Sequence, residues 1–240
     1  MSQWDKKAKN YSRYSEDKNS FDKKIFKALE SLHVKLTNKT LLDIGCGTGV
    51  YTLQAAKQCL HVKAIDSSKE MLEVLKQDAK TLNLTNIETL HVSWDEFTCK
   101  ESYDYALCTM SPALRDEKDF IKMDNCATTK IYLGWAGKRD SNILDLLFKA
   151  HGQIYTAPNG SKKLQNWLDK NKRFYHLIPF EETKISKRDL KKSIENFQWH
   201  LEIRGIVPNI NKIEEILKKL CDENDNITET TESYFNLIIW

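Results

Sequence analysis

The run Leu41-Leu42-Asp43-Ile44-Gly45-Cys46-Gly47-Thr48-Gly49 constrains this chain more than any other segment. A short apolar stretch ends in an acid and then in glycines at alternate positions, which reads as a buried strand feeding a tight turn. Glycine permits φ > 0 and lets the main chain come within contact distance of a ligand. A helix that follows such a turn points its free N–H groups into the same space. The spacing is G-x-G-x-G, and Val50 stands where a dinucleotide fingerprint would carry its third glycine. The turn therefore belongs to a nucleotide-type α/β fold without being a dinucleotide loop.

The 240 residues fit one α/β domain with additions, so the expected organisation is a single domain over residues 1–240. Charges of both signs are frequent, 37 Lys and Arg against 34 Asp and Glu, and leave a net charge of only +3. No large single-sign field of the kind that nucleic-acid binders carry is expected, and neither is a nucleic-acid partner. No apolar run approaches bilayer length and the N-terminal residues lack a hydrophobic signal core, so the reading is a cytoplasmic protein with no membrane partner. The cysteines Cys46, Cys59, Cys99, Cys108, Cys126 and Cys221 have no C-x-x-C spacing, and the histidines form no H-x-x-x-H pair. Neither a metal site nor a disulfide framework is expected.

After the glycine turn, 50–58 reads as a helix and His61 to Asp66 as a second strand ending in an acid, so strand and helix alternate as in a parallel sheet. Ser67 and Glu70 form a capping box before a helix with apolar residues at helical spacing from Met71 to Leu82. Strands are expected over 86–92, 103–110 and 130–135, with helices over 117–124 and 141–150, in the order of a doubly wound sheet. Beyond Gly152 the pattern gives a helix over 164–170, a strand over 174–180 and a last strand over 234–240. Helical patterns over 187–203 and 211–220 fall between those strands, inside a stretch spanning 181–233. A segment of that length is read as a helical insertion, either a lid or an interaction surface.

The glycine segment resembles motif I of the class I S-adenosylmethionine-dependent methyltransferases, usually written (V/L)LD(I/L)GCGTG. The resemblance covers Trp4 to about Ala150. It implies a three-layer Rossmann-like α/β fold with a mostly parallel seven-stranded sheet and an antiparallel last strand. It also implies S-adenosyl-L-methionine as cofactor. Gly45, Cys46, Gly47, Thr48 and Gly49 would approach it through the loop, and Asp43 would accept hydrogen bonds either from the loop or from the ligand amino group. Asp66 ends strand two where a carboxylate takes both ribose hydroxyls, the other reading of that position being a helix cap. Ser67 and Met71, which follow it, are also implied cofactor contacts. After strand three, Asp95 matches the acid that meets the adenine amino group and Trp94 would lie against the ring, or the pair serves as helix cap and core aromatic.

Thr109, Met110 and Ser111 end strand four, where donor and acceptor meet. In members that methylate amino groups this place holds (D/N/S)-P-P-(Y/F/W). Here Ser111 and Pro112 match, and Ala113 and Leu114 depart from the pattern, so the stacking aromatic is missing. The lead-in over residues 1–35 contains Trp4-Asp5 through Tyr14, similar to a segment that folds over the cofactor in many small-molecule members, with Tyr11 and Tyr14 at matching positions. An amphipathic helix packed on the sheet is the alternative. Trp135, Lys138 and Arg139 follow strand five and either meet the substrate or form a solvated loop. With S-W-D-E-F and M-S-P-A, this stretch is similar to a group of methyltransferases of anaerobic bacteria of unassigned substrate.

The implied activity is in-line methyl transfer to a small-molecule acceptor, by a monomer or a homodimer. Methylation of RNA or protein, and a non-catalytic module that binds the cofactor, are the rival readings. Positioning supplies most of what such a displacement needs, and a base is required only for a protonated acceptor. His176 and His200 qualify as bases by chemistry alone, and no residue is assigned as catalytic.

Overall fold

The computed structural model describes residues 2–240. Its seven-stranded sheet has the order β3-β2-β1-β4-β5-β7-β6. The centre is β1 (Thr40–Ile44), where Leu41, Leu42, Asp43 and Ile44 are all buried, as a strand covered on both faces requires. It pairs in parallel with β2 (His61–Asp66) on one side and β4 (Tyr103–Thr109) on the other. Beyond them β3 (Ile87–His91) and β5 (Ala127–Ser141) are also parallel to their neighbours. The connections leave β1 in opposite directions, so its carboxyl end faces the crevice where open α/β sheets hold ligands.

The last strand, β7 (Asn226–Ile239), runs antiparallel. Just past it Trp240 exchanges both main-chain hydrogen bonds with Lys130 of β5, at 2.9 and 3.1 Å, the signature of an antiparallel pair. Asp124 fastens the same corner, accepting from the Trp240 indole at 3.0 Å and pairing with the Lys130 ammonium at 2.9 Å.

The chain divides into two compact units. The first comprises residues 2–136, 159–180 and 235–240. It holds the parallel strands, α1 (Gln3–Ala8), α2 (Phe21–Ser31), α3 (Val50–Ala56), α4 (Lys69–Thr81), α5 (Glu117–Cys126) and α7 (Gly160–Lys170). Its core has a layer on each side of the sheet. Leu42, Ile44 and Cys108 meet Phe120, Met123 and Trp167 on one side, and Leu41, Leu107 and Leu133 meet Ile25, Phe26 and Leu29 on the other.

The second unit comprises residues 137–158 and 181–234. Here α6 (Leu144–Ala150), α8 (Leu190–Glu202) and α9 (Ile210–Lys218) enclose a separate core of Leu147, Phe148, Phe197, Leu201, Ile213 and Leu217.

Several elements differ from the sequence expectations in extent. The strand expected over 174–180 is β6 (His176–Asp189), the one expected over 234–240 begins at Asn226, and β5 continues to Ser141. The cause is visible in β7, whose buried positions Glu229, Thr231 and Ser233 are polar. Glu229 accepts from Ser141 Oγ at 3.1 Å and from Arg188 at 2.9 Å, so an inner face satisfied by hydrogen bonds replaced the apolar alternation that marks a strand. The helix expected from 187 starts at Leu190, where Asp189 caps it by accepting from Lys192 N–H at 2.8 Å. The cap of α4 is Ser68 rather than Ser67, with Ser68 Oγ accepting from Met71 N–H at 3.3 Å.

Phe197 is 1% exposed at the centre of the second core. Phe197→Ala is expected to lower stability by about 3–5 kcal/mol, measured by urea titration of the full chain with the neighbouring Trp199 as fluorescent reporter.

Candidate cofactor-binding site

Gly45, Gly47 and Gly49 have φ of +67°, +56° and +83°, the left-handed region that side chains rarely adopt. The turn is clamped to the neighbouring strand, because Gly45 and Cys46 both donate their N–H groups to the Ile65 carbonyl, at 2.9 and 3.0 Å. A Cβ at Gly45 would overlap Ser111 Oγ, and one at Gly49 would overlap the Leu75 side chain. Those two glycines let the end of β4 and helix α4 close against the loop. A Cβ at Gly47 would meet nothing within 4 Å, so the middle of the loop borders open space.

Asp66 is bonded to the loop at Gly47, and a second carboxylate, Asp43, is buried in β1 just before it. Asp43 is only 1% exposed. Its Oδ2 accepts from Thr52 Oγ1 at 2.6 Å, whereas Oδ1 is buried with no hydrogen-bond partner. Burial pushes the Asp43 pKa up to about 7, the nearby Asp66 adds to the rise and the Thr52 hydroxyl opposes it. Asp66 accepts from Gly47 N–H and from Ser68 N–H, both at 2.8 Å. Burial raises its pKa too, against those two hydrogen bonds.

An orphaned carboxylate oxygen, a glycine with open space over it and an acid at the end of β2 fit a ligand carrying an ammonium group and a ribose diol. Burial of the Cys46 thiol pushes its pKa far up, so this cysteine stays neutral in the loop.

The N-terminal segment is tied to the same loop. Thr48, itself buried, donates its hydroxyl to the Ser12 carbonyl at 2.6 Å. Asp5 accepts from Ser68 Oγ at 2.6 Å and from Glu70 N–H at 3.4 Å, which adds a second carboxylate to the N-terminus of α4. These bonds, led by the one from Ser68, hold the Asp5 pKa down at about 2. Arg13 pairs with Asp78 of α4. Tyr14 donates its hydroxyl to Gln54 at 3.0 Å, and the Lys23 ammonium donates to the Tyr14 oxygen at 2.6 Å while lying 4.1 Å from its ring centre. Tyr11 packs edge-on against Trp4 with ring centres 6.2 Å apart.

At the end of β4, Met110 has φ +49°, unusual for a residue with a side chain, and donates its N–H to the Leu133 carbonyl at 2.6 Å. Thr109 and Ser111 are half-buried and Pro112 is exposed, and Ser111 Oγ accepts from Ala113 N–H at 3.2 Å to close a small turn. Trp135 packs on Phe235 with ring centres 4.6 Å apart, and its carbonyl accepts from Ser161 Oγ at 2.9 Å.

The structure thus brings together Asp43, Gly45, Cys46, Gly47, Thr48, Gly49, Asp66 and Ser111, with Ser67 and the buried Met71 opening α4. It sets other expected residues elsewhere. Trp94 is buried in the core, stacked on Phe97 at 5.8 Å with its indole N–H unpartnered, and the Lys122 ammonium lies 4.4 Å from its ring centre. Asp95 is exposed and paired with Arg115, whose hydrogen bond holds its pKa below the usual carboxylate value. Lys138 and Arg139 lie on the continued β5 strand, not in a loop, and belong to the second unit. Lys138 donates to the Tyr234 hydroxyl at 3.3 Å, and Arg139 to the Tyr155 hydroxyl at 3.5 Å.

His176 is exposed, and His200 lies beside Trp199 with ring centres 5.0 Å apart. Thr52 and Ser12 escaped the sequence reading. A Thr nine residues after the motif acid sits on the inner face of the following helix, a spacing legible in principle, whereas Ser12 acts through its carbonyl and leaves no signature.

A family model described as a methyltransferase domain matches residues 41–126. An uncharacterised protein of Haemophilus influenzae is 33% identical over 129 residues, covering 53% of this chain and 46% of that protein. The chain therefore spans about half the length of that curated relative. A demethylmenaquinone methyltransferase of Listeria welshimeri is 23% identical over 203 residues, covering 78% of this chain and 76% of its own length. Among solved structures, an S-adenosylmethionine-dependent methyltransferase of Thiobacillus denitrificans in complex with S-adenosyl-L-homocysteine superposes with a TM-score of 0.52. It is 14% identical and covers 98% of this chain and 96% of that one, a likeness of fold. The motif, the sheet order and the family model agree: residues 41–126 match a methyltransferase domain, and the fold is the Rossmann-like one of S-adenosylmethionine-dependent methyltransferases.

Proposed function

We propose that this protein transfers the methyl group of S-adenosylmethionine to a small-molecule acceptor. The observation that carries the reading is the open space over Gly47, which the Asp66 carboxylate holds through its N–H, together with the buried, half-satisfied Asp43 in the strand that feeds the loop. The cofactor when bound supplies an electrophilic methyl on a sulfonium. Asp66 has lone pairs beyond those taken by Gly47 and Ser68, and these would accept from the ribose hydroxyls. Asp43 would accept from the amino group through its unpartnered oxygen.

The chain's task is then to hold the acceptor in line with the methyl and keep water out. The main-chain carbonyls and the Ser111 hydroxyl at the end of β4 would orient an acceptor N–H or O–H. The N-terminal segment, fastened through Ser12, Asp5 and Tyr14, covers the cofactor half. The Listeria relative, named for a quinone, supports a small-molecule acceptor, as does the balanced charge of the chain. On this reading Trp135, Pro112, Tyr11 and Tyr14 border the acceptor, and no side chain is required as a base.

Labelled S-adenosylmethionine incubated with the full chain and a cell extract, then separated into small-molecule, protein and RNA fractions, is expected to label the small molecules. Label confined to RNA or protein would replace the acceptor class, and cofactor binding with no transfer to any fraction would make the chain a binding module. Asp66→Asn is expected to weaken S-adenosylmethionine binding roughly tenfold or more, read by calorimetry.

Asp43 gives a pH signature in the free protein. Its folded pKa of about 7 lies above the ordinary 3.8, so the folded state binds the extra proton. Stability from this group is present at low pH and lost as pH rises towards 7. Asp43→Asn, neutral at every pH, is expected to gain stability relative to the parent between pH 5 and pH 8 in parallel urea titrations. A constant difference across that range would contradict a neutral Asp43 in the folded state.

A further inference from the structure

In the second unit, α6 and α8 end in loops joined tip to tip. His151, just after α6, donates from Nδ1 to the Leu147 carbonyl at 2.8 Å. Its Nε2 then accepts from Asn209 N–H, just before α9, at 2.9 Å. Arg204 donates to the Thr156 carbonyl at 2.6 Å and stacks 4.8 Å from the Tyr155 ring centre, and Lys212 donates to the Ala150 carbonyl at 3.2 Å. The two loops are thus fixed, and each presents an aliphatic side chain to solvent. Ile154 is 90% exposed and Val207 is 87% exposed, and Ile210 next to them is 40% exposed.

The charge at this tip is one-sided. Segments 149–158 and 203–213 carry Lys149, Arg204 and Lys212 and no Asp or Glu, in a chain where acids nearly equal bases. The ordered hydrogen bonds of Arg204 and Lys212 go to main-chain carbonyls, and the acids flanking the two segments, Glu202, Glu214 and Glu215, are engaged by Gln198, Lys218 and Lys219. Fully exposed β-branched aliphatics are costly in water, and here they stand on two braced loops ringed by cations.

We propose that this tip is a lipid-docking surface, with Ile154 and Val207 entering the interfacial region of a bilayer and Lys149, Arg204 and Lys212 meeting anionic headgroup phosphates. The chemistry matches both layers of that partner: aliphatic side chains for acyl chains, and cations beside them for the phosphates. A nucleic acid would supply the negative charge but no apolar layer, and the half-buried Tyr155 ring at the tip is already stacked by Arg204. The docking needs no spanning segment, and no helix among the described residues is long and apolar enough to be one. The proposal is independent of the methyl-transfer reading and gives the insertion over 181–233 the role of an interaction surface.

The test is flotation of the full chain with vesicles of phosphatidylcholine alone or of phosphatidylcholine with phosphatidylglycerol. Binding is expected on the phosphatidylglycerol vesicles and to fall with added salt. Two variants, Ile154→Ser with Val207→Ser and, separately, Lys149→Glu, are each expected to reduce it about tenfold or more, with an unchanged thermal midpoint and unchanged cofactor binding. Absence of flotation, equal flotation on neutral vesicles, or wild-type flotation by both variants would overturn the proposal. Retention of a single-stranded oligonucleotide in place of vesicles, lost in the charge variant alone, would overturn it in favour of a nucleic-acid surface.

Discussion

The left-handed turn between β1 and α3 sets the geometry of the first unit. Its N–H groups at Gly45 and Cys46 converge on one carbonyl of β2, which fixes how the chain leaves the central strand. Because Gly45 lacks a side chain, Ser111 at the end of β4 can close against it, and because Gly49 lacks one, Leu75 can press α4 onto the loop. A methyl group at either position would have to displace a neighbour and would also sit in a disfavoured backbone conformation. The ends of β1, β2 and β4 therefore meet at the middle of the sheet, and the open side of Gly47 is what the other two glycines leave uncovered.

The N-terminal segment is held onto this turn by polar contacts rather than by a core of its own. Asp5 reaches the first turn of α4, where Ser68 already caps, so a free carboxylate faces the positive end of the helix and its N–H groups. Its depressed pKa has the opposite sign to that of Asp43: stability from Asp5 is present above the ordinary carboxylate range and lost as pH falls towards 2. The Ser12 carbonyl and the Tyr14 to Gln54 bond repeat the pattern farther along. A strap fastened mainly by hydrogen bonds and ion pairs opens at lower cost than one buried in an apolar core, which suits the cover over the cofactor that the proposed reading gives this segment.

The cofactor half was legible in the sequence because its constraints act on residue type. Positive φ favours glycine, and the apolar runs of β1, β2 and β4 read as buried strands, while the diol role of the strand-end acid belongs to the proposed reading. Two kinds of information were not legible. Contacts made through main-chain atoms, such as the Ser12 carbonyl and the Ile65 carbonyl, place no demand on the side chain. Buried polar faces hide a strand from any hydropathy pattern, as Glu229, Thr231 and Ser233 do in β7. Trp94 shows the converse: a tryptophan beside a strand-end acid reads as a ring for stacking on a ligand, whereas here its ring is spent on Phe97 within the core.

The two carboxylates at the end of β1 and β2 are a liability in the free protein. Each is desolvated, Asp66 raises the cost of ionising Asp43 and Asp5 that of ionising Asp66, and the compensation comes from the Thr52 hydroxyl for one and from two N–H groups and His91 for the other. An apolar residue at position 43 would fill the same buried strand position without that cost, so the acid works against stability at neutral pH. On the proposed reading the deficit is the means of recognition. A cationic amino group beside Asp43 lowers its pKa, satisfies the orphaned oxygen and restores the stability that the empty site lacks, which couples ligand binding to the rigidity of the loop. A neutral ligand of the same shape would leave that oxygen unpaired, so the buried acid discriminates by charge where the glycines can discriminate only by space.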